Sequence, residues 1–210
     1  MKLFIGIDPS LNSTGLCFQG YDNEDNKVFE KFCIVKPDKL TKKEQKAQDE
    51  NRNFEYVIYH KTDLSQYNDV NHLHEYYKTL NMISLIDTIY NTIVNEMQKY
   101  INDENFESFI IMEGISYGSS IRTKSVFDLA GLNYLIRYKL IKVFNHSKFT
   151  IVPPSELKKF TTGRGNANKE NIVELFKIIY PELNIPKLDD VADAYFMSNY
   201  AKYLYQYNKI

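Results

Sequence analysis

Lys2-Leu3-Phe4-Ile5-Gly6-Ile7-Asp8 is the stretch on which the reading turns. An apolar run with strand character ends on a carboxylate, which places that acid at the rim of a sheet, held by stiff neighbours. The pattern recurs in Phe109-Ile110-Ile111-Met112-Glu113. A third acidic element, Asp189-Asp190-Val191-Ala192-Asp193-Ala194, carries Asp190 and Asp193 three apart, on one face of a helix. If the two strands are neighbours, their acids meet, and four carboxylates can converge. Acids packed so densely repel one another and take up protons. Divalent cations remove that conflict, and a pair of them is the apparatus for hydrolysing phosphodiesters. Each acid also has a plainer reading. Asp8 before Pro9 suits a turn, Glu113 before Gly114 suits a strand-end surface charge, and Asp189 and Asp190 suit a helix N-terminus. Asp189 keeps that reading; the conjunction of the other four points to a nuclease.

Outward from these acids, Gly15–Gly20 and Val28–Val35 read as a second and third strand, with the polar Tyr21–Lys27 turning between them. The chain thus opens as an antiparallel meander. Residues 36–75 read as an insertion: Lys39–Asn53 is polar, a loop or a solvated helix, and Phe54–His60 is a short extra strand. Tyr76–Ile101 is helical, with Met82, Ile86, Ile89, Ile93, Met97 and Tyr100 in one apolar stripe for core or dimer packing. Lys124–Phe144 is a second helix with Phe127, Ala130, Tyr134, Tyr138 and Ile141 on one face. A strand at Phe149–Val152, a short helix capped by Ser155, a helix over Lys169–Tyr180 and a last helix from Asp189 towards Tyr205 follow. The expected fold is α/β: a mixed sheet, antiparallel first and then parallel, flanked by helices in a single domain of residues 1–210 with the insertion at about 36–75.

The chain has 210 residues and a net charge near zero, which argues against a general nucleic-acid binder. The distribution argues otherwise. From Ser120 to Glu170 there are ten bases and three acids, the bases being Arg122, Lys124, Arg137, Lys139, Lys142, Lys148, Lys158, Lys159, Arg164 and Lys169. Any one of these lysines is an ordinary solvated charge; the cluster beside an acidic centre is what a phosphate-backbone enzyme needs. No run is long and apolar enough to span a bilayer, and no signal-peptide pattern opens the chain, so a cytoplasmic protein of a bacterial or infected-host cell is expected. Cys17 and Cys33 read as reduced, small apolar strand residues. His72 and His74 would share a strand face but have no third ligand in view, and with His60 and His146 they read as surface or partly buried histidines.

Four segments together resemble RuvC-type Holliday junction resolvases. Gly6-Ile7-Asp8-Pro9-Ser10-Leu11-Asn12-Ser13-Thr14-Gly15 is similar to the family's Gly-Ile-Asp-Pro-Gly, a few residues, then Thr-Gly, with Ser10 in place of the usual Gly. Ile110-Ile111-Met112-Glu113-Gly114 matches its apolar run plus Glu. Lys158-Lys159-Phe160-Thr161-Thr162-Gly163-Arg164-Gly165-Asn166-Ala167-Asn168-Lys169 is similar to its Lys followed by Gly-x-Gly-x-Ala-x-Lys, and Asp190-Val191-Ala192-Asp193-Ala194 to its Asp-x-Ala-Asp-Ala. The resemblance implies a ribonuclease H-like fold and a homodimer that cuts four-way DNA junctions symmetrically. It implies two Mg²⁺ ions per site, replaceable by Mn²⁺, on Asp8, Glu113, Asp190 and Asp193. It places Lys169 near the scissile phosphate, where a cation offsets charge developing in the transition state. Tyr117, Arg122, Lys124, Lys158, Lys159, Arg164 and Lys169 are the expected DNA contacts. Bacterial members often carry an aromatic three residues after the Glu; here that position is Ser116, and Tyr117 follows. This departure and the insertion resemble the stretched pattern of phage and viral relatives. Flaps, other branched DNA, RNA–DNA hybrids, and a non-catalytic DNA-binding or packaging module are the competing readings.

Overall fold

The computed structural model describes residues 1–115, 125–144 and 148–207. The chain runs β1 (Lys2–Asp8), β2 (Thr14–Tyr21), β3 (Lys27–Pro37), α1 (Lys42–Glu50), β4 (Phe54–Tyr59), α2 (Asn71–Gln98), β5 (Glu107–Glu113), α3 (Ser125–Ile141), β6 (Phe149–Val152), α4 (Pro154–Thr162), α5 (Lys169–Ile179) and α6 (Leu188–Gln206), with a 3₁₀ turn at Ser65–Tyr67. The strands form one six-stranded sheet in the order β4-β3-β2-β1-β5-β6. β1 to β3 pair antiparallel, β5 and β6 run parallel to β1, and β4 runs parallel to β3. This is the mixed sheet flanked by helices that the sequence leads one to expect.

Strand periodicity sorts the side chains between two cores. Leu3, Ile5, Ile7, Ile110 and Met112 pack under α2 and α3; Phe4, Phe109 and Ile111 pack under α4, α5 and α6. Parity carries Asp8 and Glu113 onto the α6 face, since Asp8 follows Phe4 and Gly6 by twos, and Glu113 follows Phe109 and Ile111. β1 and β5 are in register through Ile7 opposite Met112, so both acids sit one residue beyond the same rung.

Two glycines let α6 lie directly on the sheet. A Cβ on Gly6 would stand 1.9 Å from the Ala194 carbonyl oxygen, and one on Gly15 2.1 Å from that of Asp190. Gly15 is therefore a helix-packing position as well as the strand-pairing residue opposite Asp8. Ala192, Ala194, Met197 and Ala201 complete the contact, all fully buried.

Within residues 36–75 the expected short strand forms as β4, which extends the sheet with its Phe54, Tyr56 and Tyr59 buried. The polar stretch forms α1, with a capping box between Thr41 and Glu44. α2 starts five residues before the expected Tyr76, so His72 and His74 lie on a helix, where a separation of two turns them apart. α4 carries Pro154 in its first turn with Pro153 as the capping residue, and Ser155 makes no cap bond. The apolar row read along α3 faces away from the core. Leu132, Ile136 and Leu140 are buried, while Phe127, Tyr134, Tyr138 and Ile141 are 55–82% exposed. Both faces of α3 are apolar, so periodicity cannot say which one meets the sheet. His146 lies outside the described residues. Among the described residues no helix is long and apolar enough to cross a membrane.

Candidate active site

The loop from Pro9 to Ser13 leaves β1 and re-enters the sheet at β2. Thr14 pins it, its Oγ1 donating to the Ser10 carbonyl at 2.9 Å and accepting from the Ser10 N–H at 3.2 Å. Tyr59 of β4 donates its hydroxyl to the Leu11 carbonyl at 3.5 Å, so β4 braces this loop. The result places Ser13 beside the first turn of α6, where its buried hydroxyl donates a hydrogen bond to Asp190 Oδ2.

Asp8, Asp190 and Asp193 are each less than a tenth exposed, and Glu113 faces them from β5. Lys169, the first residue of α5, reaches into the group. Its ammonium stands 3.0 Å from Asp189 Oδ2, 3.5 Å from Asp193 Oδ2 and 3.8 Å from Asp190 Oδ1. Asn168 caps α5, its side chain accepting from the Asn171 N–H, and fixes where Lys169 projects.

Crowding shows in the acidities. Burial pushes Asp8 well above the usual carboxylate range, and the charges of Glu113, Asp193 and Asp190 push it further. Glu113 is pushed up to about 7, first by burial and then by Asp193, against the pull of Lys169 and Lys158. Asp193 is pushed up to about 6 by burial, with Lys169 opposing. Burial also raises Asp190, and the Ser13 hydrogen bond holds it back. For Asp189 burial works upward too, but the bond from Lys169 outweighs it and the net shift is downward.

One lysine thus stands among carboxylates drawn from the start, middle and end of the chain. Among the described residues no three acidic, imidazole or thiol groups close into a ready-made coordination cage. The donor chemistry nevertheless fits hard divalent cations, since all four groups offer carboxylate oxygens and the local positive charge is insufficient to keep them ionised.

RuvC of Thermus thermophilus superposes on the chain with a TM-score of 0.50 at 13% identity, over 98% of this chain and 96% of that one. Its fold is that of RuvC. The structure described as T. thermophilus RuvC in complex with Holliday junction substrate gives a TM-score of 0.52, again at 13% identity, over 97% and 96% of the two chains. In sequence, 94 residues are 34% identical to the crossover junction endodeoxyribonuclease RuvC of Pseudothermotoga lettingae. That stretch is 43% of this chain and 54% of the relative, so the match spans about half the relative's length. No protein-family model matches the chain.

On this RuvC fold the five residues expected at the centre, Asp8, Glu113, Lys169, Asp190 and Asp193, come together. Lys158 on α4 lies close enough to Glu113 to lower its pKa. Lys159 and Arg164 are exposed on α4 and the turn after it, and neither makes an ion pair with the central acids among the described residues. Arg164 instead borders an open groove with Thr162, Asn166 and Asn168. Gly163 ends α4 in the left-handed conformation at φ 77°, which explains one of the two glycines there by backbone geometry alone. Tyr117, Arg122 and Lys124 lie outside the described residues. Sequence reasoning missed Ser13, whose role depends on a partner 177 residues away. It also left Asp189 as a helix-end charge, although Asp189 is the nearest anchor of Lys169.

Proposed function

We propose that this protein is a metal-dependent, structure-selective endonuclease that resolves four-way DNA junctions by hydrolysing phosphodiester bonds symmetrically. The observation that carries this is the meeting of Asp8, Glu113, Asp190 and Asp193 with Lys169 at one end of a RuvC-fold sheet. Asp8, Glu113, Asp190 and Asp193 would hold two Mg²⁺ ions, with Mn²⁺ able to substitute. When bound, such ions activate the attacking water and stabilise the departing 3′ oxygen.

The chain's own groups do the rest. Ser13 holds Asp190 in one orientation. Lys169, released from part of its carboxylate contacts, offsets negative charge on the phosphate. Lys158, Lys159 and Arg164, with Tyr117, Arg122 and Lys124, hold the DNA backbone without reading sequence. We read the chain as one nuclease domain with residues 36–75 inserted, and its working form as a homodimer, which turns one cut into two symmetric cuts. The exposed row Phe127, Tyr134, Tyr138 and Ile141 on α3, with Leu80 and Ile83 exposed on α2, is the face offered to a second copy. Lys78–Asp128 at 2.8 Å and a Lys139–Asp87 pair tie these two helices into one surface.

Cleavage assays on a four-way junction, a flap and an RNA–DNA hybrid test the reading. Paired, symmetric nicks confined to the junction are expected. Preference for flaps or hybrids would transfer the same chemistry to another substrate. Cutting that survives Asp8→Asn would remove the site assignment, and a wild-type protein that binds junctions without cutting would leave a DNA-binding module.

A further inference from the structure

We propose that Asp189 is a positioning residue: it keeps the Lys169 ammonium beside the reacting phosphate once cations occupy Asp190 and Asp193. The inference rests on the nuclease reading and gives a role to an acid outside the four expected metal ligands. Lys169 is shared among three carboxylates at the start of α6, and the three contacts are unequal. Asp189 Oδ2 stands at 3.0 Å, within hydrogen-bond distance, whereas Asp193 Oδ2 at 3.5 Å and Asp190 Oδ1 at 3.8 Å offer charge without a close bond. No other carboxylate among the described residues lies within ion-pair distance of this lysine.

Helix geometry sorts the three acids. With 3.6 residues per turn, Asp193 lies about 40° around α6 from Asp189 and about 60° from Asp190, between the two. The Asp190 flank is tied to the loop after β1 by the Ser13 hydroxyl. The Asp189 flank is the one that Lys169 reaches from α5. Exposure follows the same division: the Asp189 side chain is 40% exposed, against 9% for Asp190 and 11% for Asp193. Cations held by Asp190 and Asp193 would cancel the attraction that these two acids offer the ammonium, and would repel it directly. The Asp189 contact is then the one that survives. Lys169 needs it, because its four-carbon stem is flexible and its side chain is 48% exposed. Lys169 also opens α5, where the helix dipole disfavours a cation, while Asp189 lies in the first turn of α6, where the dipole favours an anion. Each member of the pair thus supports the other across two helix starts.

The test compares the wild type, Asp189→Asn, Asp189→Glu, Lys169→Met and the Asp189→Asn/Lys169→Met double variant. Single-turnover cleavage of a four-way junction gives the rate, gel shift the junction affinity, and calorimetry the Mn²⁺ affinity. Acetylation of Lys169 by an activated ester in saturating Mg²⁺, followed by mass spectrometry, reads the ion pair without turnover. Thermal melting confirms that each variant folds. Asp189→Asn should slow cutting by about 5- to 10-fold and speed Lys169 acetylation by about fivefold, with both affinities within about twofold of wild type. Asp189→Glu should restore most of both effects, since a longer carboxylate still reaches the ammonium. In the Lys169→Met background Asp189→Asn should cost nothing further, because no ammonium is left to position. The proposal is overturned if Asp189→Asn cuts as fast as the wild type or faster, or if Lys169 acetylation is unchanged by it. It is equally overturned if the loss is as large without the lysine, or if Mn²⁺ affinity falls tenfold or more, since Asp189 would then act on metal or DNA directly. A wild type that cuts no branched DNA overturns the nuclease reading itself, an outcome distinct from all of these.

Discussion

The crowded carboxylates make the metal-free protein less stable as pH rises through neutrality, and the size of that effect follows from the acidities. Glu113, at about 7 when folded, returns to an ordinary value of 4.5 when unfolded, and Asp193 falls from about 6 to 3.8. Between pH 5.5 and 7.5 the native state therefore holds protons that the unfolded chain does not. Stability falls with rising pH wherever the native state binds the more protons. For this window the Glu113 contribution comes to about 2 kcal/mol and the Asp193 contribution to about 1 kcal/mol, and because the two groups interact their sum is an upper bound. For a chain of this size that is about 5–10 °C in melting temperature. The groups held below their ordinary pKa, among them Asp22, Asp63, Asp103 and Asp189, act in the opposite sense at a lower pH, below about 4. The assay is thermal unfolding in EDTA at pH 5.5, 6.5 and 7.5, repeated with Mg²⁺. In EDTA the melting temperature should drop as pH rises. With Mg²⁺ the loss at pH 7.5 should be recovered, since bound cations replace the missing protons. Asp8→Asn should raise the EDTA melting temperature at pH 7.5 by relieving its neighbours. A metal-free melting temperature that is flat or climbs over this range would show that the acids do not crowd one another as described, and the site would lose its physical basis.

Other substitutions probe the remaining parts. Lys169→Met removes the ammonium 3.0–3.8 Å from three carboxylates, and cutting should fall by about 100-fold or more while junction binding changes little, as gel shifts and single-turnover rates can show. Gly15→Ala drives a methyl into the Asp190 carbonyl; about 1–3 kcal/mol of stability should be lost in urea unfolding, together with Mn²⁺ affinity, because the shift displaces the helix turn that bears Asp190 and Asp193. Ser13→Ala should weaken Mn²⁺ binding by about 3- to 10-fold in calorimetry with the melting temperature nearly unchanged, since only the orientation of Asp190 is released. Tyr134→Lys with Phe127→Lys should convert a dimer to a monomer in sedimentation velocity, leaving the fold intact because neither side chain is buried in the protomer.

The acids were readable in advance because strand parity is a local property. An apolar run ending in Asp8 or Glu113 already states which residues share a face, and three-residue spacing states that Asp190 and Asp193 do. The inward face of α3 was not readable, because Leu132, Ile136 and Leu140 offer the same periodicity as Phe127, Tyr134 and Tyr138. The integration of residues 36–75 was hidden for a related reason: one short strand gives no sign of which edge of which sheet it will join. Ser13 and the role of Gly15 were invisible, since each is defined by an atom far away in the chain.

From its residues alone the protein had its element order, its alternation of core-facing side chains and the identity of its acidic groups, because these depend on spacing along a few turns or rungs. Only the tertiary structure decided that α6 sits close enough to β1 and β2 for those groups to feel one another's charge. That closeness comes from backbone meeting backbone at Gly6 and Gly15, a contact between distant segments that no local pattern encodes.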